Sequence, residues 1–295
     1  MPEAGEYLLS HVGFSPSEKP VLVLQKDGEL VNFEPLGHTL GIEVNTNNRH
    51  CVGWHDLPTG KSFPCPDSQD IEGKYEQCAA CQTRTGFNPA FYNANSVSPQ
   101  QEARNQEPHI LYLAHFGTGT VKVGISHAKR GNGRLLEQGA RSAIILETFP
   151  TAHIARQYEA KIAALPSIAE TIQLRKKIQS LSATYADAAA NQELATTREM
   201  IEKTLGLLFA NQEPLHLTTT FFPDDTPDLT AAHDATNDLK ISGKCTGMLG
   251  SLLFCHYQDT PIFLPLKKFV GHKITLHRSE IPITLPARQA TLFDF

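Results

Sequence analysis

Two short segments of alternating residues, joined by a glycine-rich turn, constrain the fold of this chain more than any other feature. Their aliphatic positions are Leu111, Leu113, Val121, Val123 and Ile125. Because successive side chains of a strand point to opposite faces, these positions share one face of a predicted β-hairpin. That face must be covered by other parts of the chain, so the hairpin predicts a hydrophobic core built around it.

The opposite face of the hairpin gathers residues that could contact a phosphate group. A turn at residues 117–119 predicts three opposed pairs on this face: Phe116 with Thr120, Ala114 with Lys122, and Tyr112 with Gly124. The phenol of Tyr112 and the ammonium of Lys122 then flank a position without a side chain, where a phosphate could approach the backbone. An ordinary amphipathic hairpin, with Lys122 in solvent and Tyr112 half-buried, explains the same pattern.

After the hairpin, the sequence predicts a basic loop, a short helix, a third strand and a longer helix. Thr151 can cap the longer helix, whose apolar stripe is Ile154, Tyr158, Ile162 and Leu165. Glu159 lies about a quarter turn from this stripe, which predicts a carboxylate at the rim of a cleft. An exposed Glu159 paired with Arg156 or Lys161 is the alternative.

These residues resemble a known nuclease core. The motifs are Ile110-Leu111-Tyr112, Lys122-Val123-Gly124, Arg134-Leu135 and the helical Glu159. They resemble the GIY-YIG nucleases in a divergent form, in which Lys122 stands where the second motif usually has tyrosine. The resemblance implies that Tyr112 helps to deprotonate water, that Arg134 stabilises phosphate charge, and that Glu159 holds a divalent metal, here Mg²⁺ or Mn²⁺.

A wider pattern carries a second resemblance. The segments YLA, VKVGIS and EQGA, with an arginine before the last, follow a cysteine-rich head that contains QCxxC. The pattern is similar to an uncharacterised bacterial family known only as a domain of unknown function. It covers roughly residues 20 to 165 of this chain.

Positive charge is local in this sequence. The formal net charge is −5 and the pI is about 6.2, which excludes a protein coated with basic charge. Around the hairpin, however, five basic residues stand against the single acid Glu137: Lys122, Lys129, Arg130, Arg134 and Arg141. They predict a surface for the phosphates of DNA or RNA, and a solvated basic loop is the alternative.

Four of the six cysteines lie close together in a polar stretch: Cys51, Cys65, Cys78 and Cys81. Two residues between Cys78 and Cys81 let both sulfurs reach one tetrahedral ion, so we expect a closed structural zinc site. A redox pair and inert thiols are alternatives, but no βαβ unit of the thioredoxin type accompanies the motif. His50 or His55 could replace Cys51 as a ligand.

The cellular setting follows from what the sequence lacks. The first residues carry acids where a secretory signal has lysine or arginine, and no apolar run is long enough to span a bilayer. We therefore expect a cytoplasmic protein without membrane contact, in which disulfides are rare. This expectation favours metal binding by the cysteines.

The chain as a whole predicts an α+β protein of several segments. They are a β-rich head with the zinc site (1–85), a linker (86–108), the GIY-YIG-like α/β core (109–165), a helical region (166–212), an acidic linker (213–238) and a C-terminal β-rich region (239–295). In the last segment, strand-like runs near Ile241, Leu252, Phe263 and Ile274 predict a small antiparallel sheet or barrel.

Three functions remain open at this point. The first is a metal-dependent phosphodiester endonuclease that uses Tyr112, Lys122, Arg134 and Glu159. The second is a binding module that recognises nucleic acid without cutting it. The third is an interaction protein with a protein partner, which the acidic net charge favours. Fold resemblance alone cannot choose among them.

Overall fold

The computed structural model of this chain describes residues 1–88, 90–91, 94, 96–209, 213–224 and 226–285. It is a mixed α+β protein, as the sequence predicts. The strands are β1 Gly5–Phe14, β2 Pro20–Lys26, β3 Glu29–Phe33, β4 Thr39–Arg49, β5 Trp54–His55, β6 Ser62–Phe63, β7 His109–Gly117, β8 Thr120–His127, β9 Ser142–Phe149, β10 Ile168–Ala169, β11 Leu215–His216, β12 His233–Asp234, β13 Lys240–Leu249, β14 Leu252–Tyr257, β15 Thr260–Pro265 and β16 His272–His277. The helices are α1 Ala79–Thr85, α2 Pro99–Asn105, α3 Gly133–Gln138, α4 Ala152–Ala163, α5 Leu174–Gln179, α6 Asp187–Leu205 and α7 Thr218–Phe221.

Strands from both ends of the chain form one nine-stranded sheet. Its order is β12-β15-β14-β13-β4-β16-β1-β2-β3. Strand β16 lies between β1 and β4, with Ile274 opposite Tyr7 on one side and Leu276 opposite Ile42 on the other. The four predicted C-terminal strands are present, but the expectation that they form a small sheet or barrel of their own is wrong. Strands β13 and β16 instead pair with β4 and β1, and apolar side chains of all four strands share one core with β1 to β4.

The predicted hairpin lies in a separate five-stranded sheet of order β10-β8-β7-β9-β11. Its register matches the sequence prediction where the chemistry was expected, because Tyr112 is opposite Gly124 and Ala114 is opposite Lys122. Near the turn a bulge shifts the pairing, so that Gly117 rather than Phe116 lies opposite Thr120.

Both faces of the hairpin are buried. The aliphatic face packs with side chains of helices α4 and α6, including Ile162, Leu194 and Ile201. The Tyr112 face packs against α3 and against Phe254 of the large sheet. The alternative of an ordinary amphipathic hairpin with a half-buried Tyr112 is therefore wrong, because a distant part of the chain covers this face.

The two sheets meet where two glycines touch. Gly139 follows α3 and Gly250 lies in the turn between β13 and β14, and both have positive φ, at 74° and 63°. A Cβ atom added to Gly250 would lie 2.9 Å from the amide nitrogen of Gly139. Only residues without side chains permit this approach, which fixes the relative position of the sheets.

Across the described ranges, no helix combines the length and the apolar character needed to cross a membrane. The last ten residues, 286–295, belong to the predicted C-terminal region but lie outside the described part of the chain.

Candidate functional site

The four cysteines of the head converge in space. Their sulfur atoms all lie within 4.8 Å of one another, and each residue is buried. Four thiolates around one zinc ion, at about 2.3 Å each, would be separated by about 3.8 Å in a tetrahedron. The sulfurs of Cys65 and Cys78 are 4.0 Å apart. The arrangement therefore fits a single metal ion such as zinc.

Backbone hydrogen bonds and a close backbone approach hold these cysteines in place. The amide nitrogens of Gly53 and Cys78 donate hydrogen bonds to the Cys51 sulfur, at 3.4 and 3.1 Å. Gly53 has a φ of 93°, and a Cβ there would lie 1.9 Å from the Phe63 carbonyl oxygen. Cys78 occupies the N-cap position of α1, so Cys81 lies one turn along the helix. These contacts stabilise a thiolate more than a thiol and hold the sulfurs in place.

Burial raises the pKa of the Cys51 thiol, and it raises the pKa of Cys81 as well. Without a cation, both thiols therefore keep their protons at neutral pH. A metal ion would displace these protons, because only thiolates bind it strongly.

A cleft of about 630 Å³ lies where the head and the two sheets come together. Its basic lining residues are Arg49, Lys74, Lys122, Arg134, Lys177, Lys267 and Lys268. The acidic ones in the described lining are Glu76, Glu137 and Glu170. Seven cations against three carboxylates give the cleft a positive potential, although the net charge of the chain is −5.

The head connects the cysteine cluster to this cleft. Arg49 ends β4, two residues before Cys51, and lines the cleft. Its guanidinium donates to the Gly73 carbonyl oxygen at 2.7 Å and to the Val270 carbonyl oxygen at 3.3 Å. Lys74 follows in the same loop, between Cys65 and Cys78. A change in the cysteine cluster would therefore move one wall of the cleft.

Of the four predicted catalytic residues, Lys122 and Arg134 line the cleft directly. The Lys122 ammonium donates to the Val123 carbonyl oxygen at 3.1 Å. Burial lowers the pKa of Lys122, the Glu159 carboxylate offsets part of that effect, and the Arg134 charge adds to it. Arg134 is 42% exposed and lies 3.8 Å from the Glu137 carboxylate.

Tyr112 lies behind this wall. Its side chain is 1% exposed, and its hydroxyl accepts a hydrogen bond from Gln138 at 2.8 Å. The ring fills the space over Gly124, where an added Cβ would lie 2.4 Å from the phenol oxygen. The expected open notch is therefore occupied by the tyrosine itself. Burial raises the pKa of Tyr112, and the Arg134 charge only partly offsets this.

Glu159 is buried rather than at a rim, with 4% of its surface exposed. Its carboxylate accepts a hydrogen bond from the Arg156 guanidinium. Burial raises the pKa of Glu159, and Arg156 and Lys122 lower it. The Glu159 charge acts to raise the pKa of both Lys122 and Tyr112. In the described lining, however, only Lys122 and Arg134 of the four predicted catalytic residues reach the cleft.

The other predicted nucleic-acid contacts lie outside the cleft lining. Lys129 is 77% exposed and pairs with Glu107 at 2.6 Å. Arg130 pairs with Glu137 at 2.6 Å. Arg141 is only 7% exposed and stacks over the Tyr185 ring at 3.9 Å. Burial keeps Arg141 away from any large ligand in this conformation.

One protein family matches the chain over residues 37–274, and its description is "Protein of unknown function (DUF2797)". The match covers well over half of the 295 residues. The chain belongs to the DUF2797 family. Comparisons with curated proteins and with solved structures find no match.

The DUF2797 match contains all four clustered cysteines and every basic residue of the cleft. Sequence reasoning missed five of these basic residues: Arg49, Lys74, Lys177, Lys267 and Lys268. They belong to three distant segments, and nothing local in the sequence indicates that the segments meet. The adjacent pair Lys267-Lys268, which begins two residues after the end of β15, is the one signal that could have drawn attention.

Proposed function

We propose that this protein binds nucleic acid, with the phosphate backbone lying in the basic cleft. The observation that carries the proposal is the lining of seven lysines and arginines against three glutamates. Phosphate contacts of this kind supply most of the affinity of non-specific nucleic-acid binding. In a protein with a net charge of −5, such a local excess of positive charge needs a functional reason.

A zinc ion in the four-cysteine cluster would stabilise one wall of this cleft. It would fix the loop between Cys65 and Cys78, which carries Lys74, and support Arg49 at the end of β4. Zinc here is structural, because four thiolates leave no open coordination position for a substrate. The head then acts as one wall of the cleft and has no chemistry of its own.

The test is the salt dependence of binding to a short DNA or RNA duplex. A Lys267→Gln/Lys268→Gln variant should bind more weakly, and its slope of log affinity against log salt should be shallower by up to about 0.9 for each phosphate that the variant no longer neutralises. Lys129→Gln is a matched control, because this exposed lysine lies outside the cleft. Salt-independent binding, or an equal effect in the control, would contradict the proposal.

A second candidate function is phosphodiester cleavage of the GIY-YIG type. The charge interactions that link Tyr112, Lys122, Arg134 and Glu159 favour it. In this role Glu159 would hold Mg²⁺ or Mn²⁺ after release from Arg156, and Arg134 would stabilise the charge that develops at phosphorus. Against it, burial raises the pKa of Tyr112, so the phenol keeps its proton at neutral pH and does not accept one from water.

Cleavage assays separate the two candidates. If the protein is a nuclease, the wild type cuts DNA or RNA with either ion, and Tyr112→Phe slows the reaction while binding is kept. If it is a binding module, both proteins bind and neither cuts. The absence of cutting on single- and double-stranded DNA and RNA with both ions would remove the nuclease candidate and leave the binding proposal intact.

A further inference from the structure

Lys177 occupies an unusual position in the cleft. It projects from α5, and its ammonium donates a hydrogen bond to the Gln138 carbonyl oxygen at 2.6 Å. The same ammonium lies 5.1 Å from the centre of the Phe116 ring. Both partners are neutral, so neither neutralises the charge of this lysine. The lysine is held by dipoles and by an aromatic face instead of by an acid.

Three cations act on Lys177: Lys122, Arg134 and Lys267. Each of them lines the same cleft. Burial and these three charges lower the pKa of Lys177 to about 8. We call the four residues Lys122, Arg134, Lys177 and Lys267 the cation cluster. Like charges repel most strongly where water is excluded, so the cluster is under electrostatic strain in the absence of an anion.

The carboxylates beside the cation cluster are already engaged by arginines. Glu137 pairs with Arg130 at 2.6 Å, which is closer than its 3.8 Å approach to Arg134. Glu170 pairs with Arg156 at 2.6 Å. Arg156 also holds Glu159, the carboxylate that acts most strongly on Lys122. The cluster therefore keeps an excess of positive charge that these acids do not cancel.

A second observation points to a ligand at this place. Gln138 lines the cleft and is 9% exposed, and its side-chain carbonyl oxygen has no partner among the described residues. The amide nitrogen already contacts the Tyr112 hydroxyl. If the amide turns over, Tyr112 donates to the oxygen, and the amide N–H groups take the buried position that has no partner. Buried amides are normally satisfied, and in that orientation an acceptor oxygen of a ligand would complete this one.

We propose that the cation cluster is a subsite for a terminal phosphate, the phosphomonoester at the end of a nucleic-acid strand. The inference rests on the proposed function and names the part of the nucleic acid that the inner cleft takes. A phosphomonoester carries a charge of about −1.5 to −2 at pH 7 and three strong acceptor oxygens. An internal phosphodiester carries only one negative charge, so it matches a cluster of four cations less well.

The experiment compares three oligonucleotides of one sequence, with a 5′-phosphate, a 3′-phosphate, or hydroxyls at both ends. Wild-type protein should bind at least one phosphorylated form about tenfold more tightly than the hydroxyl form, which corresponds to ~1.4 kcal/mol. Lys177→Gln should bind all three forms with the same affinity. Lys129→Gln, outside the cleft, should keep the preference.

Inorganic phosphate gives a measurement that needs no variant. Added at millimolar concentration, with ionic strength held constant, it should lower the affinity for the phosphorylated oligonucleotide to that of the hydroxyl form. Equal affinity of wild-type protein for all three forms would overturn the terminal-phosphate subsite and leave nucleic-acid binding in place. Failure to bind any of the three would overturn the proposed function together with the subsite.

Discussion

At the scale of single residues, the cation cluster shows that folding can hold a lysine where its protonated form is destabilised. Lys177 keeps an ammonium beside three other cations, and its pKa falls to about 8. Packing elsewhere in the two sheets supplies the free energy that offsets the repulsion between these cations. Such local strain is expected where a protein reserves a position for a ligand.

The strain predicts a pH dependence of stability. Between about pH 8 and the pKa of a free lysine near 10.4, the unfolded chain holds a proton on Lys177 that the folded chain has lost. The free energy of unfolding should therefore rise with pH in this window. Lys177→Met removes the titrating group, so wild-type protein should gain more stability than the variant from pH 8 to pH 10 in urea unfolding. Equal gains would contradict the lowered pKa.

A second prediction at this scale concerns the contact of Tyr112 with Gly124. Gly124→Ala puts a Cβ atom 2.4 Å from the phenol oxygen and 2.5 Å from the ring carbon that carries it. Overpacking of this kind costs about 1–3 kcal/mol, so the melting temperature should fall. Gly133→Ala is the matched control, because nothing lies within 4 Å of the added atom and alanine favours the helix. A drop in stability no greater than in the control would contradict the placement of Tyr112.

Residue alternation predicted part of this arrangement. The opposition of Tyr112 to Gly124 follows from strand geometry, which acts between near neighbours. The burial of both faces does not follow from it, because Phe254 and other covering residues come from a segment more than 100 positions away. The prediction that Glu159 lies at a rim was wrong for the same reason. The helical period gives the direction of the side chain, but it does not show that Lys122 and Arg156 lie there and that the position is buried.

At the scale of elements, the four-cysteine cluster is the part of the candidate site that the local sequence predicts best. The spacing of Cys78 and Cys81 corresponds to the first turn of α1, and the upstream cysteines arrive from β4 and the β6 loop. Among the described residues, the hydrophobic side chains that pack against the four cysteines are Trp54 and Ile71. We therefore expect a metal ion to supply much of its folding free energy.

Elemental analysis tests this expectation. Protein purified without chelator should contain about one zinc per chain, and Cys78→Ser should lose it. Cys255→Ala is the control, because this buried thiol lies in β14, outside the cluster. Zinc-free wild-type protein, or zinc retained in Cys78→Ser, would contradict a four-thiolate site.

The same element makes a functional prediction. Removing zinc should weaken nucleic-acid binding, because the loop that carries Lys74 and the backbone near Arg49 lose their support. Gly53→Ala should act similarly while all four cysteines are kept, since its Cβ would collide with the Phe63 carbonyl. Binding titrations before and after chelation measure the effect. Unchanged affinity after complete zinc removal would contradict the claim that the head supports nucleic-acid binding in the cleft.

At the scale of the whole molecule, the cleft exists only because distant segments meet. The nine-stranded sheet joins β1 to β4 with β12 to β16, and the five-stranded sheet is inserted between them in the chain. Gly139 and Gly250 bring the sheets into contact near the cleft lining. The sequence predicted the individual C-terminal strands, yet their partners could not be read from it, since strand pairing over some 200 residues leaves no local pattern.

The cleft's cations come from two of its walls, one belonging to each sheet. Lys122 and Arg134 come from the five-stranded sheet and its helix α3, whereas Lys267 and Lys268 follow β15 of the large sheet. A nucleic acid in the cleft must contact both walls at once. A ligand on the exposed loop near Lys129 would contact only one.

Photochemical cross-linking of a bound oligonucleotide, followed by mass spectrometry of the peptides, tests this central claim most directly. We predict cross-links in peptides from both walls, around Lys122 to Arg134 and around Lys267 to Lys268, and their disappearance at high salt. Cross-links confined to the loop at Lys129 and Arg130, or found only in the cysteine head, would contradict binding in the cleft.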